Sequence, residues 1–111
     1  MTQQDIQQLQ FAQKQFSSLH QQTQTLQRQL IDIESALNEL ELASWAYEMV
    51  GTVMIKKSKE DLVKKLLEKQ SIIKQRKTVF EKQESELKKQ IESMQEKLLS
   101  ALDEQESQKD S

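Results

Sequence analysis

A short apolar segment separates two long polar heptad repeats, and this arrangement constrains the fold more than any other feature of the sequence. The segment from Leu42 to Ile55 reads LASWAYEMVGTVMI and carries a single charge, at Glu48. The long stretches on either side contain neither proline nor glycine, and their apolar residues follow a three-four spacing. The pattern predicts two helices joined by a β-type element, so we expect function to reside in partners rather than in a pocket.

The first helix is predicted from a regular coiled-coil seam. When Leu9 is placed at heptad position a, every following a and d residue is apolar except Thr23. The abundant glutamines fall between these positions and are expected on a solvated helix face. The predicted seam residues are Leu9, Ala12, Phe16, Leu19, Thr23, Leu26, Leu30, Ile33, Leu37 and Leu40.

The second helix has a less regular seam. Its start is indicated by Ser58 and Asp61, which are spaced as a helix-capping pair. Three consecutive a positions are polar, which either restricts register and partner choice or leaves a narrow, partly wet seam; the sequence leaves both open. The d positions are Leu66, Ile73, Phe80, Leu87, Met94 and Ala101, and the a positions are Val63, Gln70, Lys77, Glu84, Ile91 and Leu98.

A chain reversal at the apolar segment places the two helices antiparallel, with Leu40 opposite Val63 and Leu30 opposite Ile73. Residues 1–55 carry two basic and six acidic side chains, and residues 56–111 carry fourteen basic and twelve acidic ones, so the halves are complementary. The predicted fold is mainly α: a long antiparallel two-helix coiled coil, a rod with one β-hairpin at the helix–helix connection. We expect a single domain over residues 1–111, with helices at about 3–42 and 58–106 and the hairpin at 45–57.

The apolar segment itself is predicted to be a hairpin. Gly51-Thr52 suits a two-residue type II′ turn, and the flanking residues are rich in β-branched and aromatic side chains. An isolated two-stranded hairpin is marginally stable in water and exposes two edges. We favour the interpretation that several copies or homologues pair edge to edge into a closed sheet. The alternative is that the hairpin folds down on the helix ends and caps them.

Composition excludes several classes of function. The chain has no cysteine and a single histidine, His20, so neither disulfides nor a histidine-based metal site is expected. The first residues resemble no signal peptide, and no apolar run reaches the roughly 20 residues of a membrane span, so we expect a soluble intracellular protein. His20 falls at an e position, and Glu84 and Glu86 lie on a helix surface, so nothing predicts a catalytic site.

Two further interpretations compete. A structural scaffold or tether explains the heptads but leaves the apolar hairpin unexplained. A nucleic-acid binder is suggested by a run of basic residues, but interspersed acids and the absence of interleaved aromatics favour a solvated helix face. The basic residues are Lys56, Lys57, Lys59, Lys64, Lys65, Lys69, Lys74, Arg76 and Lys77.

The order helix, hairpin, helix resembles the β class of prefoldin subunits, and within that class it is most similar to the eukaryotic subunit 1 type. The resemblance rests on residues 47–51, Ile55, Ser58-Lys59-Glu60 and residues 66–70, and it covers about residues 45–100. The glutamine-rich first helix matches only in pattern. Trp45-Ala46, before the first strand, departs from the family.

The resemblance implies a hexamer of α- and β-class subunits that needs neither nucleotide nor another cofactor. Such a hexamer works in the cytoplasm, holds unfolded polypeptides such as actin and tubulin at coiled-coil tips, and delivers them to a group II chaperonin. It also implies assembly through the hairpin, with candidate residues Tyr47, Met49, Val50, Gly51, Val53 and Ile55. The candidate tip residues are Ile6, Leu9, Phe11, Met94, Leu98, Leu99 and Leu102, although stray apolar residues in a continuing coiled coil would explain them equally well.

Overall fold

The chain forms two long helices with a two-stranded hairpin between them. In the computed structural model, which describes residues 3–109 and the side chains of residues 3–103, helix α1 spans Gln3–Leu42 and helix α2 spans Lys59–Lys109. Strands β1 (Ala46–Val50) and β2 (Val53–Lys57) pair between them. The predicted fold class, an antiparallel two-helix coiled coil with one hairpin at the connection, is confirmed.

The seam of α1 lies where the heptad spacing predicts it. Every predicted a and d residue from Leu9 to Leu40 is buried or half-buried, and every other residue of α1 is exposed except Ala36. Thr23 is buried at an a position and therefore takes part in the seam despite its hydroxyl group. The glutamines between these positions are exposed, as predicted.

The seam of α2 also follows the predicted positions. All twelve a and d residues are buried or half-buried, including the three polar a residues Gln70, Lys77 and Glu84. Near its start the helix buries one additional residue, Leu62, which is more deeply buried than the predicted neighbour Val63. Leu62 lines a groove together with Leu40 and the first residues of β1, so the hairpin extends the apolar surface beyond the seam.

The junction between the hairpin and α2 is short and well capped. Only Ser58 separates β2 from α2, and its Oγ accepts a hydrogen bond of 3.1 Å from the backbone N–H of Asp61. This satisfies one of the N–H groups that the first helical turn leaves without a partner. Lys59 Nζ donates a hydrogen bond of 2.9 Å to the carbonyl oxygen of Glu41, so a cation from α2 lies at the carboxyl end of α1.

The hairpin has a two-residue turn at Gly51-Thr52. The strands pair antiparallel from Ala46 with Lys57 to Val50 with Val53. Gly51 has a φ of +63°, and no residue other than this glycine has a positive φ in the described part of the chain. A positive φ at the first turn residue alone fits type II′ and excludes type I′, which requires it at both.

The chain divides into two compact units. The helix-end unit comprises Met1–Gln22 and Phe80–Ser111, and the hairpin unit comprises Thr23–Val79. In the helix-end unit, Leu19 and Leu87 line a common groove. In the hairpin unit, the last turns of α1 and the first turns of α2 pack beneath β1.

Candidate functional site

The hairpin presents the most apolar exposed surface of the hairpin unit. All six predicted assembly residues are exposed, namely Tyr47, Met49, Val50, Gly51, Val53 and Ile55. Met54 and Trp45, which the sequence did not single out for assembly, are exposed beside them. Within the described residues the sheet contains β1 and β2 alone, so each strand has one edge without a partner strand. Such edges are templates for pairing with another chain.

The two faces of the hairpin differ in their surroundings. Because side chains alternate along a strand, Tyr47 and Met49 share one face with their cross-strand neighbours Met54 and Lys56. The other face carries the two half-buried strand residues, Ala46 and Glu48. The predicted assembly residues are therefore distributed over both faces rather than gathered on one.

Aromatic contacts order the start of β1. The ring of Trp45 packs edge-on against Tyr47, with ring centroids 4.9 Å apart, and Lys56 Nζ lies 5.5 Å from the Trp45 ring centroid. This cation–π and aromatic cluster spans both strands. Trp45-Ala46, which departs from the family pattern, lies at the start of the hairpin. Ala46 is the first residue of β1, and Trp45 directly precedes the strand.

Glu48 is the polar centre of the hairpin. Its carboxylate lies 3.1 Å from Lys57 Nζ on β2 and accepts a hydrogen bond from Lys65 Nζ on α2. The hydrogen bond from Lys65 and then the neighbouring Lys57 ammonium group lower the pKa of Glu48 below the ordinary value of a glutamic acid. The charge of Glu48 was noted from the sequence, but its partners were not identified. The available signal was the presence of Lys57 at the end of β2 and Lys65 near the start of α2.

The predicted tip residues all belong to the helix-end unit but do not form one cluster. Met94 and Leu98 line a groove of about 270 Å³ with Asp5 and Gln8 from α1. Leu9 is half-buried in the seam, as are Met94 and Leu98. Ile6, Phe11, Leu99 and Leu102 are exposed, with Phe11 63% and Leu99 60% accessible. Phe11 and Leu99 therefore lie off the seam, as their heptad positions predict.

His20 lies at the surface of the helix-end unit. Its ring stacks on Phe16 with centroids 6.1 Å apart, and its Nδ1 lies 3.7 Å from Glu84 Oε2. Among the residues that the structure describes, no three His, Cys, Asp or Glu side chains are grouped to hold a metal ion. In the same part of the chain, no helix has an apolar stretch that could cross a membrane.

These features agree with what comparison with known proteins finds. The prefoldin subunit family model matches residues 3–105. The prefoldin β subunit of Archaeoglobus fulgidus is 32% identical over 100 residues, which cover 87% of this chain and 86% of the relative. That of Methanococcus aeolicus is 41% identical over 59 residues, which cover 53% of this chain and 51% of the relative.

A solved structure gives the same result for the fold. The crystal structure of the prefoldin β subunit from Thermococcus strain KS-1 matches with a TM-score of 0.83 at 31% identity, over 90% of each chain. The two long helices with one hairpin between them match the prefoldin β fold, and the chain belongs to the prefoldin subunit family. The predicted resemblance to the β class is confirmed, and membership implies a chaperone-like role. The narrower similarity to the eukaryotic subunit 1 type stays a prediction.

Proposed function

We propose that this chain is one subunit of a hexameric prefoldin co-chaperone of the cytoplasm. The hexamer holds unfolded polypeptides such as actin and tubulin and transfers them to a group II chaperonin. Neither ATP nor another cofactor takes part, and the chain catalyses no reaction. The observation that carries this proposal is the exposed apolar hairpin in a chain of the prefoldin family, because a hairpin of this kind requires partners.

Assembly with other α- and β-class subunits is proposed to use the hairpin. A strand edge supplies backbone hydrogen-bond partners to a neighbouring subunit, and the side chains that alternate along it supply apolar contacts. Tyr47, Met49, Val50, Val53 and Ile55 provide those contacts, and Gly51 maintains the turn. The whole chain, residues 1–111, acts as a single β-type domain in this assembly.

Client binding is proposed to use the helix-end unit. An unfolded polypeptide exposes apolar groups without a fixed arrangement, so a surface that holds many clients must present apolar groups that can adapt. Leu99 and Leu102 are three residues apart on one face of α2, and both are exposed. Phe11 and Ile6 add exposed apolar surface on α1, and Leu9, Met94 and Leu98 become available where the seam opens.

Within the β class, we assign the chain to the eukaryotic subunit 1 type. Support comes from the segments Tyr47-Glu48-Met49-Val50-Gly51 and Ser58-Lys59-Glu60, on which the resemblance rests. In that type of complex the chain occurs once, together with five other subunits that all differ from one another. Its neighbours are therefore related chains rather than copies of itself.

Native mass spectrometry of the tagged chain, purified from its own cells, tests this proposal. We expect a complex of six small subunits in which the chain occurs once. Several copies beside one kind of larger subunit would retain the prefoldin function but overturn the subunit 1 assignment. A homodimer, or an unrelated partner, would overturn the proposed function and favour a scaffold instead.

A further inference from the structure

Glu48 is a charged residue in the most apolar segment of the chain. It is the only charge between Leu42 and Ile55, and its side chain is 20% accessible in the folded chain. A carboxylate that loses water in this way is costly unless cations or hydrogen-bond donors replace the solvent. The structure supplies two such cations, and they belong to two different elements.

The first cation, Lys57, lies on β2. Glu48 pairs directly with Ile55, and Lys57 is two residues further along the same strand and on the same face. Its Nζ lies 3.1 Å from Glu48 Oε2. This diagonal ion pair joins the two strands and would exist in any hairpin of this register.

The second cation, Lys65, lies in the second turn of α2. It donates a hydrogen bond to Glu48 Oε1 across 17 residues of sequence. Only Ser58 lies between β2 and α2, so the hairpin can turn about this residue. The bond to Lys65 forms at only one orientation of the hairpin relative to α2. Ser58 is one attachment of the hairpin to α2, and the Glu48–Lys65 bond is a second attachment that fixes the angle between them.

We propose that Glu48 is a positioning residue that holds the hairpin at a fixed angle on α2, so that its strand edges meet those of neighbouring subunits. This inference rests on the proposed assembly through the hairpin. A preset angle reduces the conformational freedom that is lost on association. The residue acts through Lys65 and need not touch the partner itself.

A positioning role differs from a general contribution to stability. Lys65 is 61% accessible, and ion pairs with an exposed partner contribute little to the stability of a fold. We therefore expect Glu48→Gln to leave the helices unchanged and to release the hairpin. The expected change is about threefold to tenfold faster amide exchange in β1 and β2, since Glu48→Gln weakens two partly exposed charged contacts, with Lys65 and with Lys57.

The experiment combines hydrogen exchange on the full chain with native mass spectrometry of the assembled complex. Glu48→Gln and Lys65→Gln remove either partner, and Lys65→Arg retains the cation. Glu39→Gln is the matched control, because Glu39 lines the same groove and loses the same charge. The double variant Glu48→Gln, Lys65→Gln tests whether the two residues act through one another.

The proposal predicts faster hairpin exchange and weaker assembly in Glu48→Gln and Lys65→Gln, no further loss in the double variant, and near-normal behaviour in Lys65→Arg and Glu39→Gln. It is overturned if Glu48→Gln leaves both hairpin exchange and assembly unchanged, or if the effects of the two single variants add. If the unaltered chain forms no complex with other subunits, the proposed function fails instead. Hairpin exchange still decides the role of Glu48 in that case.

Discussion

The two compact units share one heptad spacing and differ in how completely they bury it. In the hairpin unit, six described residues are buried: Thr23, Leu26, Ile33, Leu40, Leu62 and Ile73. In the helix-end unit, Ala12 is the single described residue that reaches this level, and the other seam residues are half-buried. The free energy gained by burying apolar side chains scales with the area that they remove from water. Each turn of the helix-end unit therefore contributes less to stability than a turn of the hairpin unit. A unit with less buried area opens more readily.

Their exposed apolar residues differ as well. In the hairpin, exposed side chains are fixed by a strand register, an aromatic cluster and the ion pairs of Glu48. In the helix-end unit, the exposed apolar residues Ile6, Phe11, Leu99 and Leu102 extend singly from helix surfaces. A fixed surface suits a constant partner, and an adaptable one suits many partners. This contrast is the physical basis for assigning assembly to one unit and client binding to the other.

The largest expected effect compares one substitution at two isoleucines. Ile73 of the hairpin unit is 4% accessible, whereas Ile91 of the helix-end unit is half-buried. Ile73→Ala should destabilise the chain by about 3 kcal/mol, because it leaves a cavity in a closed seam, and Ile91→Ala by about 1 kcal/mol. Urea unfolding followed by circular dichroism measures both. Equal losses would contradict the difference in burial between the units.

Gly51→Ala should act on the hairpin alone. An added Cβ meets no atom within 4 Å, so the cost comes from the φ of +63° and amounts to about 1–2 kcal/mol. Thr52→Ala is the matched control, because Thr52 lacks a positive φ. We expect faster amide exchange in β1 and β2 with unchanged exchange in residues 3–22. A hairpin that tolerates alanine at Gly51 would show that the turn is not type II′.

Ser58→Ala removes the side-chain cap of α2 and should cost about 1 kcal/mol. Ser71→Ala is the control, because Ser71 is exposed and lies in the interior of the same helix, where its hydroxyl group caps no helix end. We expect this change to be neutral or slightly stabilising. Thermal unfolding of the two variants provides the comparison. If Ser71→Ala were the more damaging change, the hydrogen bond of Ser58 would not be what stabilises the start of α2.

The smallest effect concerns pH. The pKa of Glu48 is lower in the folded chain than the ordinary value of 4.5, so its contribution to hairpin stability is present above about pH 4.5 and is lost as the pH falls through the folded value. Lys57 on β2 and Lys65 on α2 contact its carboxylate, and Lys69 on α2 and Glu39 on α1 line the same groove. Below pH 4.5, the protection of the hairpin amides, measured against the exchange rate of an unstructured chain at the same pH, should fall more in the unaltered chain than in Glu48→Gln. Parallel pH profiles would contradict this.

The sequence predicts the fold well because most of it depends on local periodicity. The seam of α1, the cap at Ser58 and the turn at Gly51 each follow from residues within a few positions of one another. The burial of Leu62 and the bond between Glu48 and Lys65 do not, because both depend on the angle at which the hairpin meets α2. Heptad spacing carries no information about that angle.

The exposure of the candidate residues was predictable to a similar extent. Apolar character alone identifies the hairpin surface and the off-seam residues Phe11 and Leu99. It cannot indicate which side of the strands faces the helices, because the hairpin is apolar on both faces. The contacts of Trp45 are an example. Its ring packs against Tyr47 and Lys56, which are paired across the two strands, and apolar character does not indicate this placement.

The division of roles between the two units is tested most directly by client holding in a complete hexamer that contains Phe11→Ser together with Leu99→Ser. Thr25→Ala with Ser85→Ala is a control at two exposed helix positions. Suppression of the aggregation of an unfolded client is measured against the unaltered hexamer, after native mass spectrometry has verified assembly. The account predicts normal assembly and weaker suppression in the Phe11, Leu99 variant. Undiminished suppression in an intact hexamer would contradict the assignment of client binding to the helix-end unit.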